Sequence, residues 1–144
     1  MKRRLRCEAM KLRVALVDDN PIDRLLAAEA LEEVCAHCTL ESYDSGQAAL
    51  AHLLHAKALP DVLLLDINMP GMNGFEVLTA LKSDARLSLI PVVMLTTSNA
   101  ATDIEQAYTL HASSYLVKAP TFTAFLSQVE AFIRYWQLNR PALA

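Results

Sequence analysis

Five short hydrophobic segments alternate along the chain with longer segments in which hydrophobic residues recur every three or four positions. The first, third and fourth short segments are nearly continuous runs of Val, Leu, Ile, Ala and Met without polar alternation. Runs of this kind are typical of strands buried on both faces of a parallel sheet. The predicted strands are residues 14–17, 39–43, 62–65, 92–95 and 115–117.

The longer segments have the period of amphipathic helices. In the last of them, large hydrophobic side chains fall at steps of three, four and seven from Phe122 to Trp136. Two patterns that resemble capping boxes, Asp44-Ser-Gly-Gln47 and Thr102-Asp-Ile-Glu105, indicate where the second and fourth helices begin. The first helix places four large side chains mostly on one side: Ile22, Leu25, Leu26 and Leu31. The predicted helices are residues 21–34, 48–55, 75–82, 102–110 and 122–136.

A strand followed by a helix, repeated five times, predicts an α/β fold. We expect a doubly wound, five-stranded parallel sheet with helices on both faces and right-handed crossovers. Ligands of such sheets bind at the carboxyl ends of the strands, where the strand order reverses. The residues that directly follow each strand are therefore the candidates for chemistry.

Polar residues follow four of the five predicted strands, and they should meet at one edge of the sheet. They are Asp18 and Asp19 after the first strand, Asp66 and Asn68 after the third, Thr96 at the end of the fourth and Lys118 after the fifth. Crowded carboxylates repel one another, and a hard cation such as Mg²⁺ relieves that repulsion. An Asp carboxylate can attack phosphorus, while an ammonium and a hydroxyl stabilise the phosphoryl charge. The pattern indicates a Mg²⁺-dependent phosphoryl-transfer site.

Four motifs contain these residues: V-D-D (17–19), L-L-L-D-I-N-M-P-G-M-N-G (63–74), P-V-V-M-L-T (91–96) and Y-L-V-K (115–118). Together they closely resemble the response-regulator receiver family, and the resemblance covers about residues 12–137. It implies a (βα)5 flavodoxin-like, CheY-like fold, a Mg²⁺ cofactor and a sensor histidine kinase as partner. It also implies that the protein is not an enzyme, except that it catalyses its own phosphorylation and dephosphorylation.

The resemblance implies a role for each residue of the acidic edge. Asp66 is similar to the phosphoacceptor of the family. Asp19 resembles the acid that ligates Mg²⁺ directly, and Asp18 resembles the acid that acts through a metal-bound water. Asn68 matches the position whose backbone carbonyl completes the protein ligands. Lys118 resembles the invariant cation that faces the phosphoryl group.

The resemblance also implies a switch and a shaped loop. Thr96 looks like the hydroxyl that moves toward the phosphoryl group. Tyr115 occupies the position of the aromatic switch residue, whose ring turns inward when that hydroxyl moves. Pro70, Gly71 and Gly74 match the loop that shapes the entry to the third helix.

One stretch departs from the family, in which the lysine is usually followed by proline through a cis bond. Here the order is Lys118-Ala119-Pro120. A cis bond before alanine costs about 2.5–4 kcal/mol, so either the fold imposes that cost or the loop takes another route with Lys118 still reaching the site. This loop, T-T-S-N (96–99) and R-Y-W (134–136) resemble the small response regulators paired with phytochrome-type kinases.

Charge divides the chain into parts. Residues 1–13 hold six Lys/Arg and one acid, and the rest carries a net charge of −8. Because nucleic-acid binding needs a basic face, so acidic a body disfavours it. We expect a basic tail over residues 1–11, a receiver domain over residues 12–138 and a short tail over residues 139–144.

Several expectations concern location and output. No segment approaches 18 consecutive apolar residues, so we predict no membrane span and a cytoplasmic protein. Few residues follow the last helix, so we expect output through protein contact at the fourth helix, fifth strand and fifth helix, and not through DNA. Near the end, Phe132, Tyr135 and Trp136 suit a homodimer contact; alternatively, Phe132 and Trp136 complete the core.

The three cysteines, Cys7, Cys35 and Cys38, are odd in number, which argues against a disulfide framework. Cys35 and Cys38 have the spacing of a redox or metal pair, but no second ligand pair follows at zinc-site spacing. We interpret them as a helix end that runs into a buried strand. The histidines are interpreted as surface or partly packed residues: His37, His52, His55 and His111.

Three other functions are alternatives to a signalling switch. The first is a phosphorelay intermediate, and the second is a receiver-like adaptor that works without phosphorylation. The third is a hydrolase with an Asp nucleophile, which usually needs a second acid two residues further on. That position is Asn68 here, which disfavours a hydrolase.

Overall fold

The five predicted strands form one parallel sheet in the computed structural model, which describes residues 11–138. The order of the strands across the sheet is β2-β1-β3-β4-β5. Their bounds are β1 (Arg13–Val17), β2 (Thr39–Tyr43), β3 (Val62–Leu65), β4 (Val92–Thr96) and β5 (Ser114–Val117). The predicted tails lie outside the described residues apart from residue 11, and Cys7 lies outside them too.

Helices cover both faces of the sheet, as predicted. The helices are α1 (Pro21–Val34), α2 (Gly46–His55), α3 (Gly74–Lys82), α4 (Ala101–Thr109) and α5 (Phe122–Leu138), with a 3-10 turn at Leu87–Leu89. The helices α1 and α5 pack over one hydrophobic cluster, and α2, α3 and α4 pack over the other. The doubly wound α/β fold is thereby confirmed. No helix within residues 11–138 has the length and apolar character that crossing a membrane requires.

The central strands are hydrophobic throughout because each contributes to both clusters. In β1, Val14 and Leu16 lie in the cluster under α1 and α5, while Ala15 and Val17 lie in the opposite one. Successive side chains of a strand point to opposite faces, and helices cover both faces of this sheet. A strand in that position has no exposed face on which polar residues are tolerated.

The edge strand β2 differs from its prediction. Its five residues are all exposed or partly exposed, because β2 pairs only with β1 and lies at the margin of the sheet. We interpreted Cys35 and Cys38 as a helix end that runs into a buried strand. Cys35 does end α1, but the strand that follows is not buried. We expected no disulfide framework, but the sulfur atoms of Cys35 and Cys38 are joined in a single disulfide.

The hydrophobic stripe predicted for α1 is also partly wrong. Leu31 is buried, but the exposed fractions of Ile22 and Leu25 are 65% and 58%. The helix packs instead through Ala27, Ala30, Leu31 and Val34. Leu26 is partly buried against the same cluster, whereas the side chains of Ile22 and Leu25, near the start of the helix, are exposed.

The two predicted capping boxes do not form as expected at the starts of α2 and α4. Ser45, not Asp44, caps α2 by accepting from the Ala48 N–H at 3.1 Å. The box predicted at Thr102 does not form, because α4 begins at Ala101 after Ala100, which has no side chain to cap it. A reciprocal box does form at α3, where Asn73 and Glu76 bond each other's backbone N–H groups.

Candidate functional site

Three carboxylates meet at the carboxyl edge of the sheet. Asp18 and Asp19 directly follow β1, and Asp66 directly follows β3. The two strands are neighbours in register, and the Asp66 N–H donates to the carbonyl of Val17 at 3.0 Å. As a result, one carboxylate oxygen from each of the three acids lies within 4.8 Å of the others. Asp18 and Asp66 are buried, and Asp19 is half-buried.

The donor set of this acidic cluster fits a hard divalent cation. All three side chains offer carboxylate oxygens, the ligands that Mg²⁺ prefers, and Mg²⁺ binds through few carboxylates while keeping some waters. Asn68, the fourth predicted ligand, is exposed two residues after Asp66. Among residues 11–138, the acidic cluster is the only group of three or more such side chains close enough to share an ion.

Lys118 reaches the acidic cluster from the end of β5. Its Nζ donates to Asp18 Oδ2 at 2.8 Å and to Asp23 Oδ2 at 2.8 Å. Its backbone N–H donates to the carbonyl of Thr96 at 2.8 Å, which ties the ends of β5 and β4 together. The ammonium thus lies beside the carboxylates with two acidic partners.

The loop after Lys118 takes the second of the two predicted routes. No peptide bond within residues 11–138 is cis. Gln128 of α5 holds the loop instead: its Oε1 accepts from the Ala119 N–H at 2.9 Å, and its Nε2 donates to the Val117 carbonyl at 2.7 Å. Lys118 therefore reaches the site through a loop of trans peptide bonds, with Ala119 at the position where proline is usual.

Burial and neighbouring charges shift two pKa values at the site. Burial raises the pKa of Asp66, and the charge of Asp18 raises it further. The Lys118 charge and hydrogen bonds from Thr96 and Ile67 offset part of this increase. Burial alone lowers the pKa of Lys118, but the hydrogen bonds and charges of its acidic neighbours outweigh burial and raise it. Lys118 therefore stays cationic at neutral pH. Ionised Asp66 lowers the stability of the fold, because burial and the charge of Asp18 both disfavour its negative charge.

This destabilisation predicts a pH-dependent gain of stability in Asp66→Asn. The folded pKa of Asp66 is above its ordinary value of 3.8, so the folded chain binds the proton more tightly than the unfolded chain. Stability from the protonated carboxyl is lost as pH rises from 3.8 through the raised pKa. Without divalent cations, Asp66→Asn should gain stability over the parent across that range and keep the gain at neutral pH. Urea unfolding at stepped pH measures this, and a difference independent of pH would contradict it.

Hydrogen bonds connect Thr96, beside Asp66, to the start of α4. Thr96 is fully buried, it lowers the pKa of the Asp66 carboxyl, and its Oγ1 accepts from the Ser98 N–H at 3.3 Å. The half-buried Tyr115 donates its hydroxyl to the Ser98 carbonyl at 2.9 Å, and Ser98 Oγ donates to Asp103 Oδ2 at 2.6 Å. Both predicted switch residues therefore contact the loop between β4 and α4.

The loop between Asp66 and α3 is folded tightly against the strand end. The Gly74 N–H donates to the Ile67 carbonyl at 2.8 Å. A Cβ at Gly74 would overlap the Asp66 carbonyl oxygen and lie 2.8 Å from the Ile67 Cα. Gly71 has a φ of 75°, a left-handed conformation. Pro70 is exposed within the same loop. The absence of a side chain at position 74 thus fixes how closely Asp66 approaches α3.

Two residues of the site were missed in the sequence. Asp23 is the second partner of Lys118, and Arg24 Nη1 donates to the Asp18 carbonyl at 2.8 Å. Asp23 lies in the first turn of α1, where an acid is common because it favours the helix dipole. That ordinary explanation hides its contact with a residue 95 positions away. Asn20, directly after the two acids, caps α1 by accepting from the Ile22 and Asp23 N–H groups.

A model of the family described as the response regulator receiver domain matches residues 14–130. This chain belongs to the response regulator receiver family.

The four histidines are exposed, and His52 also packs its ring against Tyr43, with the ring centroids 5.5 Å apart. This agrees with their interpretation as surface or partly packed residues.

Relatives of known sequence or structure support the family. The probable methanogenesis regulatory protein FilR2 of Methanothrix harundinacea is 39% identical over 127 residues, covering 85% of this chain and 82% of that protein. The phosphorylated cyanobacterial phytochrome response regulator RcpA has a TM-score of 0.82 and 34% identity, covering 88% of this chain and 94% of that chain. The Mn²⁺-bound form of response regulator Rcp1, from Synechocystis, has a TM-score of 0.81 and 32% identity, covering 91% and 99%.

Proposed function

We propose that this receiver accepts a phosphoryl group on Asp66 from a histidine kinase in the presence of Mg²⁺, and that it signals through the surface formed by α4, β5 and α5. One observation carries the proposal: the buried Asp66 shares the carboxyl edge with two further acids within 4.8 Å and with a lysine. This combination is the one that phosphoryl transfer to a carboxylate requires.

The acidic cluster would hold the metal and supply the nucleophile. Asp18, Asp19 and Asp66 offer carboxylate oxygens, and Asn68 would add its backbone carbonyl. Bound Mg²⁺ would neutralise the carboxylates and the charge on the phosphoryl oxygens. An oxygen of Asp66 would then attack phosphorus and displace the histidine nitrogen of the kinase, which forms an acyl phosphate. In this sense the chain catalyses its own phosphorylation.

The remaining residues would read the new charge. A phosphoryl group on Asp66 competes with Asp18 and Asp23 for the Lys118 ammonium, because all three are anionic. The Thr96 hydroxyl lowers the pKa of the Asp66 carboxyl and would donate to a phosphoryl oxygen. Since Thr96 and Tyr115 both contact Ser98, movement of Thr96 would shift the loop that begins α4 and alter the signalling surface.

Intact mass after incubation with a small phosphodonor tests the proposal. We expect one added phosphoryl group in the presence of Mg²⁺ and none after chelation, because the carboxylates otherwise repel the phosphoryl oxygens. If neither a small donor nor a histidine kinase adds a phosphoryl group with Mg²⁺ present, the chain is an adaptor of receiver shape. The complete set of acids, lysine and threonine argues against that alternative.

Mg²⁺ should also stabilise the fold. A ligand at 100 times its dissociation constant adds about 2.7 kcal/mol to the free energy of unfolding. We therefore expect Mg²⁺ to raise the melting temperature of the parent, and to raise that of Asp19→Asn much less at the same concentration. Asp44→Asn is the matched control, because Asp44 directly follows β2 at the same edge but is exposed and lies outside the acidic cluster. An equal shift in all three proteins would contradict the assignment of the metal ligands.

The partner we propose is a histidine kinase of the phytochrome type, encountered in the cytoplasm. The support is similarity to RcpA, which is a phytochrome response regulator. A relay role is separated from a switch by adding a histidine phosphotransfer protein to the phosphorylated chain. Rapid loss of the phosphoryl group from Asp66 to that protein identifies a relay, and retention identifies a switch.

We also propose a homodimer through the outer side of α5. Phe132 and Trp136 are buried and complete the core, as the alternative interpretation has it. Tyr135 and Leu138 are exposed, at 56% and 76%. Tyr135 also lines a groove of about 340 Å³ between β5 and α5. These exposed side chains suit burial against a second copy of the chain.

Light scattering tests the dimer. We expect the parent to show a dimer mass and Tyr135→Ala to shift toward the monomer, because the aromatic ring supplies contact area. Leu54→Ala is the control, since Leu54 is similarly exposed, at 51%, on α2. A monomer mass for the parent at every concentration, phosphorylated or not, would refute the proposal.

A further inference from the structure

The turn between α1 and β2 holds a pair of cysteines, Cys35 and Cys38, joined in a disulfide. Their Cα atoms are 5.5 Å apart, within the usual range for bonded cysteines. Cys35 caps the C-terminus of α1 and is buried, whereas Cys38 is partly exposed one residue before β2. One sulfur therefore lies near solvent and its partner lies in the core.

The turn does not depend on this bond for its shape. The Cys35 N–H donates to the Leu31 carbonyl at 2.8 Å, the Cys38 N–H to the Cys35 carbonyl at 3.3 Å, and the Thr39 N–H to the Leu12 carbonyl at 3.0 Å. The disulfide joins residues only three positions apart, and a short loop restricts the unfolded chain less than a long one. A backbone that is held independently tolerates making and breaking the bond.

A metal site is the other use of two cysteines at this spacing. Within residues 11–138, the only group of three or more ligating side chains that could share an ion is the acidic cluster. The exposed His37 between the cysteines does not complete such a group. The pair therefore lacks the ligands of a structural zinc site.

We propose that Cys35 and Cys38 form a reversible thiol–disulfide site that low-molecular-weight disulfides oxidise and dithiols reduce. The more exposed Cys38 thiolate attacks one sulfur of the donor disulfide and releases the first thiol. The Cys35 thiolate then attacks the Cys38 sulfur, forms the internal disulfide and expels the second thiol. Two electrons pass from the cysteines to the donor, and the two released thiols take up the two protons.

The oxidation state of this site is communicated to the end of α5. Gln137 is buried and its Nε2 donates to Cys35 Sγ at 4.0 Å. Cys35 also belongs to the hydrophobic cluster that contains Phe132, Ile133 and Trp136. Conversion of the Cys35 sulfur from a disulfide to a thiol changes this contact, and with it the environment of the last turn of α5.

Thiol counting across a redox titration tests the site. The full chain carrying Cys7→Ser, so that only two cysteines remain, is equilibrated at graded ratios of glutathione to glutathione disulfide. It is then quenched with acid, alkylated under denaturing conditions and weighed intact. We expect two alkyl groups to disappear together as the buffer becomes oxidising, without a lasting glutathione adduct, and to return with a dithiol. Two alkyl groups at every ratio, a lasting adduct or a bond that no dithiol reduces would each overturn the proposal.

Single variants check the order of attack. Made in the Cys7→Ser chain, Cys35→Ala should leave Cys38 with a stable glutathione adduct, because no other thiol remains to resolve it. Cys38→Ser should acquire a folded-state adduct far more slowly, because Cys35 is buried. Equal rates of adduct formation in the two variants would overturn the assigned order. The titration of the Cys7→Ser chain remains decisive if either variant folds poorly.

The single tryptophan reports the coupling to α5. The chain contains one Trp, and Trp136 precedes Gln137 directly. We expect its emission to differ between the oxidised and reduced forms of the Cys7→Ser chain, and to be unchanged by the same buffers in the variant that also carries Cys35→Ala and Cys38→Ser, which has no thiol to oxidise. Identical emission from the two forms would overturn the coupling to α5.

Discussion

Asp66→Asn should lose phosphoryl acceptance completely, with a rate reduced on the order of a thousandfold or more. An amide does not form an acyl phosphate, and the substitution also removes one of the three carboxylates within 4.8 Å. Intact mass after incubation with a small phosphodonor and Mg²⁺ is the measurement. The parent should gain one phosphoryl group, and hydroxylamine should remove it, because hydroxylamine cleaves acyl phosphates.

Asp44→Asn is the matched control for this experiment. Asp44 also directly follows a strand at the same edge of the sheet, but it is exposed and outside the acidic cluster. We expect it to accept a phosphoryl group like the parent. If Asp66→Asn accepts a phosphoryl group at the parent rate, the phosphoacceptor is another residue and the assignment of Asp66 is wrong, although the family assignment is unaffected.

Gly74→Ala should be the most destabilising single methyl addition at the site, by roughly 3 kcal/mol or more. The added Cβ would overlap the Asp66 carbonyl oxygen and crowd the Ile67 Cα. Both are backbone atoms of a buried strand end, so neither has a flexible side chain that moves aside. The better helix propensity of Ala, about 1 kcal/mol, offsets only part of the clash. The denaturant midpoint measures the loss.

Gly71→Ala provides the comparison for Gly74→Ala. Gly71 has a φ of 75° but its Cβ would meet nothing nearer than Gln47 Nε2 at 3.4 Å. Its expected cost is the left-handed backbone penalty alone, about 1–2 kcal/mol. If Gly71→Ala is as destabilising as Gly74→Ala, or Gly74→Ala is neutral, then close approach to the Asp66 backbone is not what requires a glycine at position 74.

Much of the site was predictable because strand ends converge in any parallel sheet. Asp18 and Asp66 follow continuous hydrophobic runs, and such runs identify strands that are buried on both faces. Once β1 and β3 are recognised as parallel strands, their carboxyl ends must lie at the same edge of the sheet, independently of the conformation of the loops. The identities of Thr96 and Lys118 after β4 and β5 then complete the set. This inference uses local pattern and topology only.

The predictions for α1 and β2 were wrong for the same reason, which is that a local pattern does not show what packs against it. Ile22 and Leu25 have helical spacing, yet both are exposed, and the buried face of α1 is formed by Ala27, Ala30, Leu31 and Val34. The hydrophobic residues of β2 suggested a buried strand, but its place at the margin of the sheet leaves it exposed. Position in the fold, not sequence, decided both.

By itself, then, the sequence determined the α/β fold, the central strands and the carboxylates at their ends. Local hydrophobic runs identify the strands that are buried on both faces, and the carboxyl ends of parallel strands lie at one edge of the sheet. Only the tertiary structure decided three contacts. They are the hydrogen bond between Lys118 and Asp23, the hold of Gln128 on the loop after Lys118, and the contact of Gln137 with Cys35. The contact of Asp23 with Lys118 and that of Gln137 with Cys35 join residues 95 and 102 positions apart, and the Gln128 contacts join α5 to the end of β5, so all of them depend on how the helices pack on the sheet.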